Sequence, residues 1–219
     1  MSSFPNSPKL VKAGLVLIDP GSARVLRIIS LQYNSDTLSR TLTAQTAGGS
    51  GNDRVEPMRF KGPAVETFKL EADLDATDQL EFPAQHRAAA QCGMGPQLAL
   101  IESLLYPGAA QLAAVDAQAS SGTLEIAPML APLVLFVWGK NRIVPVKVSD
   151  FSITEEAFDA ALNPIRAKLS LGLRVMSTDD LGFGTKGGSL YMAYLHNREK
   201  LATRANAATF ATLGIGGIA

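Results

Sequence analysis

Between Leu133 and Val175 the chain reads as strand, tight turn, long strand, acidic crossover and long strand, and no other segment limits the fold as much. Its last arm alternates. Ile165, Ala167, Leu169, Leu171, Leu173 and Val175 fall on one face, and Arg166, Lys168, Ser170, Gly172 and Arg174 fall on the other. Successive side chains of a strand point to opposite faces, so this period of two predicts a half-buried antiparallel strand. Upstream, Val144, Val146 and Val148 keep to even positions, whereas Phe151 and Ile153 keep to odd ones. A one-residue change of phase inside a strand predicts a β-bulge near Ser149–Asp150, and bulges bend sheets.

Strand patterns recur elsewhere. Residues 9–18 read as a first strand, closed by the turn signal Asp19-Pro20-Gly21-Ser22. The Val-, Ile- and Leu-rich run 23–33 reads as a second strand, partly buried on both faces. The Thr-rich run 37–46 reads as a third. A flexible loop is expected at Ala47–Asp53, then a strand from about Met58 in which Phe68, Leu70, Ala72 and Leu74 oppose Lys69, Glu71, Asp73 and Asp75. Helical spacing of Leu98, Ile101, Leu104 and Leu105 predicts a helix over 96–106, stopped by Pro107-Gly108. Residues 109–119 fit either a second short helix or a surface excursion. Met176–Gly188, with four glycines, reads as a loop, and 189–205 as an amphipathic helix.

The expected class is therefore mainly β, a β-rich α+β chain built as an antiparallel barrel or packed sheets with flanking helices. One domain is expected over residues 1–219. Its β core covers about 9–78 and 130–176, its helical insertion about 79–129, and its last helix and tail about 185–219.

Composition narrows the function classes. At 47% hydrophobic and 18% charged residues the chain can bury a sizeable core. Twenty basic and twenty acidic residues cancel, which argues against a nucleic-acid partner, because such proteins usually carry a basic excess. Neutrality also leaves little repulsion between copies. Cys92 is the only cysteine, so no intramolecular disulfide can form, as suits a reducing compartment. The apolar run Gly14–Ile18 is too short for a signal peptide. Leu130–Trp138, interrupted by Pro132, is far below the ~20 residues that span a bilayer. Synthesis and folding in the cytoplasm, with no direct membrane insertion, are expected.

Candidate chemistry is sparse. His86 and His196 are far apart, with no second histidine at helical spacing to share a metal. Cys92 lacks a nearby basic activator. Glu155, Glu156 and Asp159 offer paired carboxylates, but in a connection they read better as a solvated or subunit-contact cluster. Asp75, Asp78, Asp179 and Asp180 match no calcium-loop spacing. The Gly48–Gly51 loop has no phosphate-binding lysine. Trp138, before Gly139-Lys140-Asn141, reads as a core or interface anchor at a hairpin. No enzyme activity, cofactor or metal is expected.

Four segments together carry a resemblance. They are Ile29–Arg40 (ISLQYNSDTLSR, similar to an "FQYNPxxLxR" signature), Phe60–Pro63 with the strand to Asp78, Leu135–Gly139, and Ile153–Glu156 through Asn163-Pro164 to Val175. Combined, they resemble the tube-protein family of contractile injection systems, the phage-tail-like particles of bacteria. More narrowly, they are similar to its tube-initiator or baseplate-adaptor subunits. Ser35 stands where that signature usually has proline, and the lysin-motif domain of many relatives is not expected here, the form being short.

The resemblance implies a barrel-like fold and a structural role. Copies would form a ring, expected to be hexameric, that joins the spike hub trimer and other baseplate proteins to the inner tube subunits. The particle would be assembled in the cytoplasm and kept there or released. Arg166, Lys168, Arg174, Trp138, Glu155, Glu156 and Asp159 are the residues expected at interfaces or on the channel wall. A monomeric β-barrel binding a small ligand in an apolar pocket is the competing expectation.

Overall fold

The computed structural model describes residues 10–46, 59–120 and 131–218. The Gly48–Gly51 loop, the strand start near Met58 and the 121–129 part of the expected helical insertion lie outside them. The chain is a β-rich α+β protein. Seven strands form one antiparallel sheet in the order β2-β1-β5-β6-β7-β4-β3. They are β1 (Gly14–Ile18), β2 (Val25–Ser30), β3 (Leu38–Thr43), β4 (Val65–Asp75), β5 (Leu133–Val137), β6 (Ile143–Phe158) and β7 (Pro164–Val175). Among the described residues no ladder joins β2 to β3, so these two strands end the sheet.

The apolar phase of β7 faces the core as expected: Ala167, Leu169, Leu171, Leu173 and Val175 are all buried. β4 supplies the matching row, with Phe68 opposite Leu173 and Leu70 opposite Leu171. Phe68 and Phe136 are fully buried and stack at 5.3 Å, tilted by 47°. The half-buried Trp138 continues this cluster at 5.8 Å from Phe136 and closes the β5–β6 turn through its N–H to Arg142 O. It is a core anchor at a hairpin.

The bulge lies where the phase change put it, between Val148 and Asp150. Gly172 sits opposite, and a Cβ there would meet Asp150 Oδ2 at 2.5 Å and Ser149 Oγ at 2.9 Å. The glycine on the polar face of β7 thus leaves room for the bulged side chains.

The acidic crossover is corrected. β6 runs unbroken through Glu155 and Glu156 to Phe158, and the return to β7 is a hairpin turn at Asp159–Asn163. Glu156 pairs with Arg166 across the ladder, so cross-strand opposite charge suits this carboxylate to a strand. The second strand is also shorter than expected. Only Ile29 of β2 is buried, because β2 is an end strand with one neighbour.

Helices flank the sheet. α1 (Thr77–Leu80) and α2 (Arg87–Cys92) are followed by α3 (Gly95–Glu102), which ends before Tyr106, and by the exposed α4 (Ala109–Ser120). Met94, Leu98 and Ile101 join the main core. The expected loop 176–188 contains α5 (Thr178–Leu181), started by a capping box in which Asp179 N–H donates to Ser177 Oγ and Ser177 N–H to Asp180. α6 (Lys186–Ala202) begins three residues earlier than the amphipathic pattern suggests, with Gly188 N–H donating to Thr185 Oγ1. Leu181 and Leu190 cover Ile18, Leu133 and Leu135, while Tyr191 and Tyr194 reach the main core. Among the described residues no helix is long and apolar enough to cross a membrane.

Candidate assembly surface

Four strands, β3-β4-β7-β6, present a continuous polar face. The registers place its side chains in rows across the strands. One row is Ser39–Lys69–Gly172–Asp150, and the next is Thr41–Thr67–Arg174–Lys147. Three more follow, Glu71–Ser170–Ser152, Asp73–Lys168–Thr154 and Asp75–Arg166–Glu156. Every side chain in these rows is polar, apart from Gly172. The five bases Lys69, Lys147, Arg166, Lys168 and Arg174 match the five acids Glu71, Asp73, Asp75, Asp150 and Glu156.

Three of these bases are paired within the chain. Arg166 Nε donates to Asp75 Oδ2 at 2.7 Å, Lys168 lies 3.0 Å from Glu156, and Arg174 donates to both oxygens of Asp180 at 2.9 and 3.2 Å. The hydrogen bond from Lys168 to Glu156, with the added field of Asp73 and Glu71, holds the Lys168 ammonium above its usual pKa. Burial pushes the Asp75 carboxyl upward. Hydrogen bonds from Thr77 and Arg166 outweigh it and hold the group below the usual range. The face is polar and charge-balanced, with Arg166, Lys168 and Arg174 held by acids of the same chain.

Of the residues picked from the sequence, Arg166, Lys168 and Glu156 converge on this face, and Arg174 reaches from it to α5. Glu155 lies on the opposite face, across from Ala167. Asp159 is spent on the hairpin tip. Its Oδ1 accepts from Ala161 and Asn163 N–H at 2.7 and 2.8 Å, and its Oδ2 accepts from Asn163 Nδ2 at 2.8 Å. Those bonds, the Asn163 side chain foremost, keep its carboxyl below the usual range. Trp138 lies away from the polar face, in the aromatic core cluster.

Among the described residues both sides of this four-stranded wall are open, and β3 pairs only with β4. β5 leaves β6 at Val146, so from Val148 to Phe158 the strand has β7 as its single neighbour among the described residues. Long open edges are templates for another chain.

Two constellations escaped the sequence reading. Glu66, 3% exposed, accepts from Tyr194 Oη at 2.9 Å and from Arg198 Nη1 at 3.2 Å, with Arg40 Nε at 3.6 Å. It ties α6 to β3 and β4. Desolvation, then the bond to Glu66, raises the Tyr194 pKa, which keeps its hydroxyl a donor. The signal was parity, since Glu66 is in phase with the buried Phe68. In the Gln32-Tyr33-Asn34 motif, Gln32 Oε1 accepts from Asp75 N–H at 2.9 Å while its Nε2 donates to Asp75 O at 2.7 Å. Asn34 does the same with Ala13 N–H and Val11 O. Two side-chain amides thus act as short strand surrogates that fix the β2–β3 connection.

His86, His196 and Cys92 are all exposed. Among the described residues no three His, Cys, Asp or Glu side chains are grouped to hold a metal ion. A cavity of about 920 Å³ lies between the β1–β2 turn and the α3–α4 connection, lined by Asp19, Leu26, Leu104, Tyr106, Gln111 and Pro132 among others. Compared with known proteins, the chain matches no protein-family model and no curated protein.

Proposed function

We propose that this chain is a structural subunit of a contractile injection system, forming a ring that joins the spike hub and baseplate to the inner tube and starts tube assembly. The observation that carries the reading is the β3-β4-β7-β6 wall, with a hydrophilic, charge-balanced face and two open edges. The edges match in chemistry. On the core side β3 offers Leu38, Arg40 and Leu42, and distal β6 offers Phe151, Ile153 and Glu155; on the polar side Ser39 and Thr41 meet Ser152 and Thr154. Joining β3 of one copy to β6 of the next continues both faces of the sheet. Such a joint uses different surfaces on the two partners, so it closes into a ring when the rotation per copy closes. Six copies follow from the resemblance described above, as do the hub and tube partners and a particle assembled in the cytoplasm. The role needs no catalysis and no cofactor.

In this reading Arg166, Lys168 and Arg174 do not seize a neighbour by charge. With their acids they make a neutral channel wall to which passing material does not adhere. A cysteine pair tests the joint. With Cys92→Ser as background, Ser39→Cys and Ser152→Cys in one chain are separated by two intervening strands, about 14 Å at the usual spacing, too far to bridge internally. Oxidation is expected to give a ladder of cross-linked copies ending at the closed ring. Monomer alone, also with Thr41→Cys and Thr154→Cys, refutes the joint. The competing reading, a monomeric barrel that binds a small ligand, would use the cavity beside Leu26 and Tyr106.

A further inference from the structure

On the core side of the two open edges stand opposite charges, Arg40 on β3 and Glu155 on distal β6. Arg40 is exposed, lies between Leu38 and Leu42, and has Glu66 3.6 Å away. Glu66 also accepts from Arg198 and Tyr194, so two arginines share one carboxylate and leave one positive charge in excess. Glu155 is exposed beyond Phe151 and Ile153. Among the described residues it has no ion-pair or hydrogen-bond partner. Within one chain β4 and β7 lie between the two residues, so they do not meet.

A closed ring brings them together. Successive antiparallel ladders make β3 and β6 run in opposite directions, so β3 meets the β6 of a rotated copy antiparallel. Four strands span about 19 Å at the usual spacing. Strands of a barrel tilt by about 35–45°, so the next copy slides along them by about 13–19 Å, or about four to six residues, to regain its height. The slide is counted from the row Leu38–Leu70–Leu171–Phe151. Without it Thr41 lies level with Lys147, where β5 takes the edge, and sliding toward Phe158 moves β3 onto the open stretch. Only an even slide keeps the two faces matched, which leaves about four or about six residues. At the longer slide Arg40 lies directly opposite Glu155. At the shorter one it lies opposite Ile153 and diagonal to Glu155, about 7–8 Å away and within reach of a long side chain.

We infer that Arg40 of one copy pairs with Glu155 of the next and sets the register of the β3–β6 joint, an inference that rests on the joint proposed above. A slip of about two residues keeps the faces matched and exchanges one apolar contact for another, so Leu38, Leu42, Phe151 and Ile153 do not choose among registers by themselves. The charges do, because a slip away from this register separates them. The fork of donors on a guanidinium lets Arg40 serve Glu155 while it stays beside Glu66. Strand number, tilt and stagger together fix the size of a barrel, so this pair bears on the width of the channel.

Exchanging the charges between two preparations tests it, with mass in solution as the readout. Glu155→Lys alone sets like charges face to face at every joint, as does Arg40→Glu alone. Each is expected to weaken association at least about tenfold. Mixed in equal amounts, the two variants alternate around the ring, every joint then holds one charge of each sign, and association is expected to return to near that of the parent. Arg40→Glu also faces Glu66, so urea unfolding checks each variant. If that variant does not fold, Arg40→Gln and Glu155→Gln replace the exchange: each should weaken association, and the two in one chain should weaken it no more than either alone. Variants that assemble as tightly as the parent, a mixture no better than its components, or neutral changes that simply add, overturn the pair. The cysteine pairs Ser39–Ser152 and Thr41–Thr154 report on the joint itself. A cross-linked ladder without the charge effect overturns the pair and leaves the joint standing, whereas a parent that gives neither ladder nor ring overturns both.

Discussion

Glu66→Gln isolates a buried charge that connects a helix to an end strand. The substitution keeps shape and leaves an acceptor for Tyr194 Oη, but it removes the negative charge facing Arg198 and Arg40. Breaking a fully buried pair costs about 3–5 kcal/mol. Both arginines are about a third exposed (35% and 36%), so water takes up part of their lost partner and the figure falls. A charge-assisted hydrogen bond contributes about 1.5–3 kcal/mol, and one such bond plus a longer ion pair gives about 2–3 kcal/mol in all. For a chain of this size that corresponds to a fall in Tm of roughly 5–10 °C. Urea unfolding measures the loss, and hydrogen exchange locates it: protection should drop along Tyr191–Ala202 and β3 but hold in β7. A double-mutant cycle with Arg198→Met should show coupling of about 1 kcal/mol or more. A loss under about 0.5 kcal/mol, or uniform loss of protection, would refute the view that Glu66 joins α6 to the sheet.

Further consequences follow from single residues. Gly93→Ala should cost at least about 2 kcal/mol, because a Cβ there meets Pro164 O at 2.2 Å at a φ of +57°, a region L residues avoid; urea unfolding checks it, and α2–α3 should lose exchange protection first. Phe68→Ala, at the fully buried centre of the core, should cost about 3–5 kcal/mol in the same assay. Asp159, whose folded carboxyl is held below its unfolded value, contributes stability that is complete above about pH 4 and is lost as pH falls through the folded pKa. Asp159→Ala should therefore destabilise the protein at pH 7, and the gap to the parent should close in acid; a gap that widens in acid contradicts the sign.

What was legible in the sequence follows from period and phase. β7 could be read residue by residue because its two faces differ in chemistry, and the bulge because Val148 and Phe151 break parity. The Glu155–Asp159 segment misled, since charges concentrate in connections; in the fold, bases on β7 lie across from acids on β6, and the pairing is non-local. α2 is alanine-rich, with no capping side chain, and left no periodic mark. The polar face was half visible. Arg166, Lys168 and Arg174 stood out, but the pairing of the first two with Asp75 and Glu156 depends on which strands become neighbours, and that of Arg174 with Asp180 on the turn into α5. Likewise the open edges of β3 and β6 are properties of strand order, which no alternation encodes.

The proposed role rests on assembly through those edges. The most direct measurement is the mass of the purified protein in solution, alone over a concentration series and mixed with the hub and tube subunits of a contractile injection particle. Closed oligomers, expected to be hexameric, that bind hub on one side and tube on the other are the predicted result. A strict monomer at every concentration that joins neither partner would contradict it.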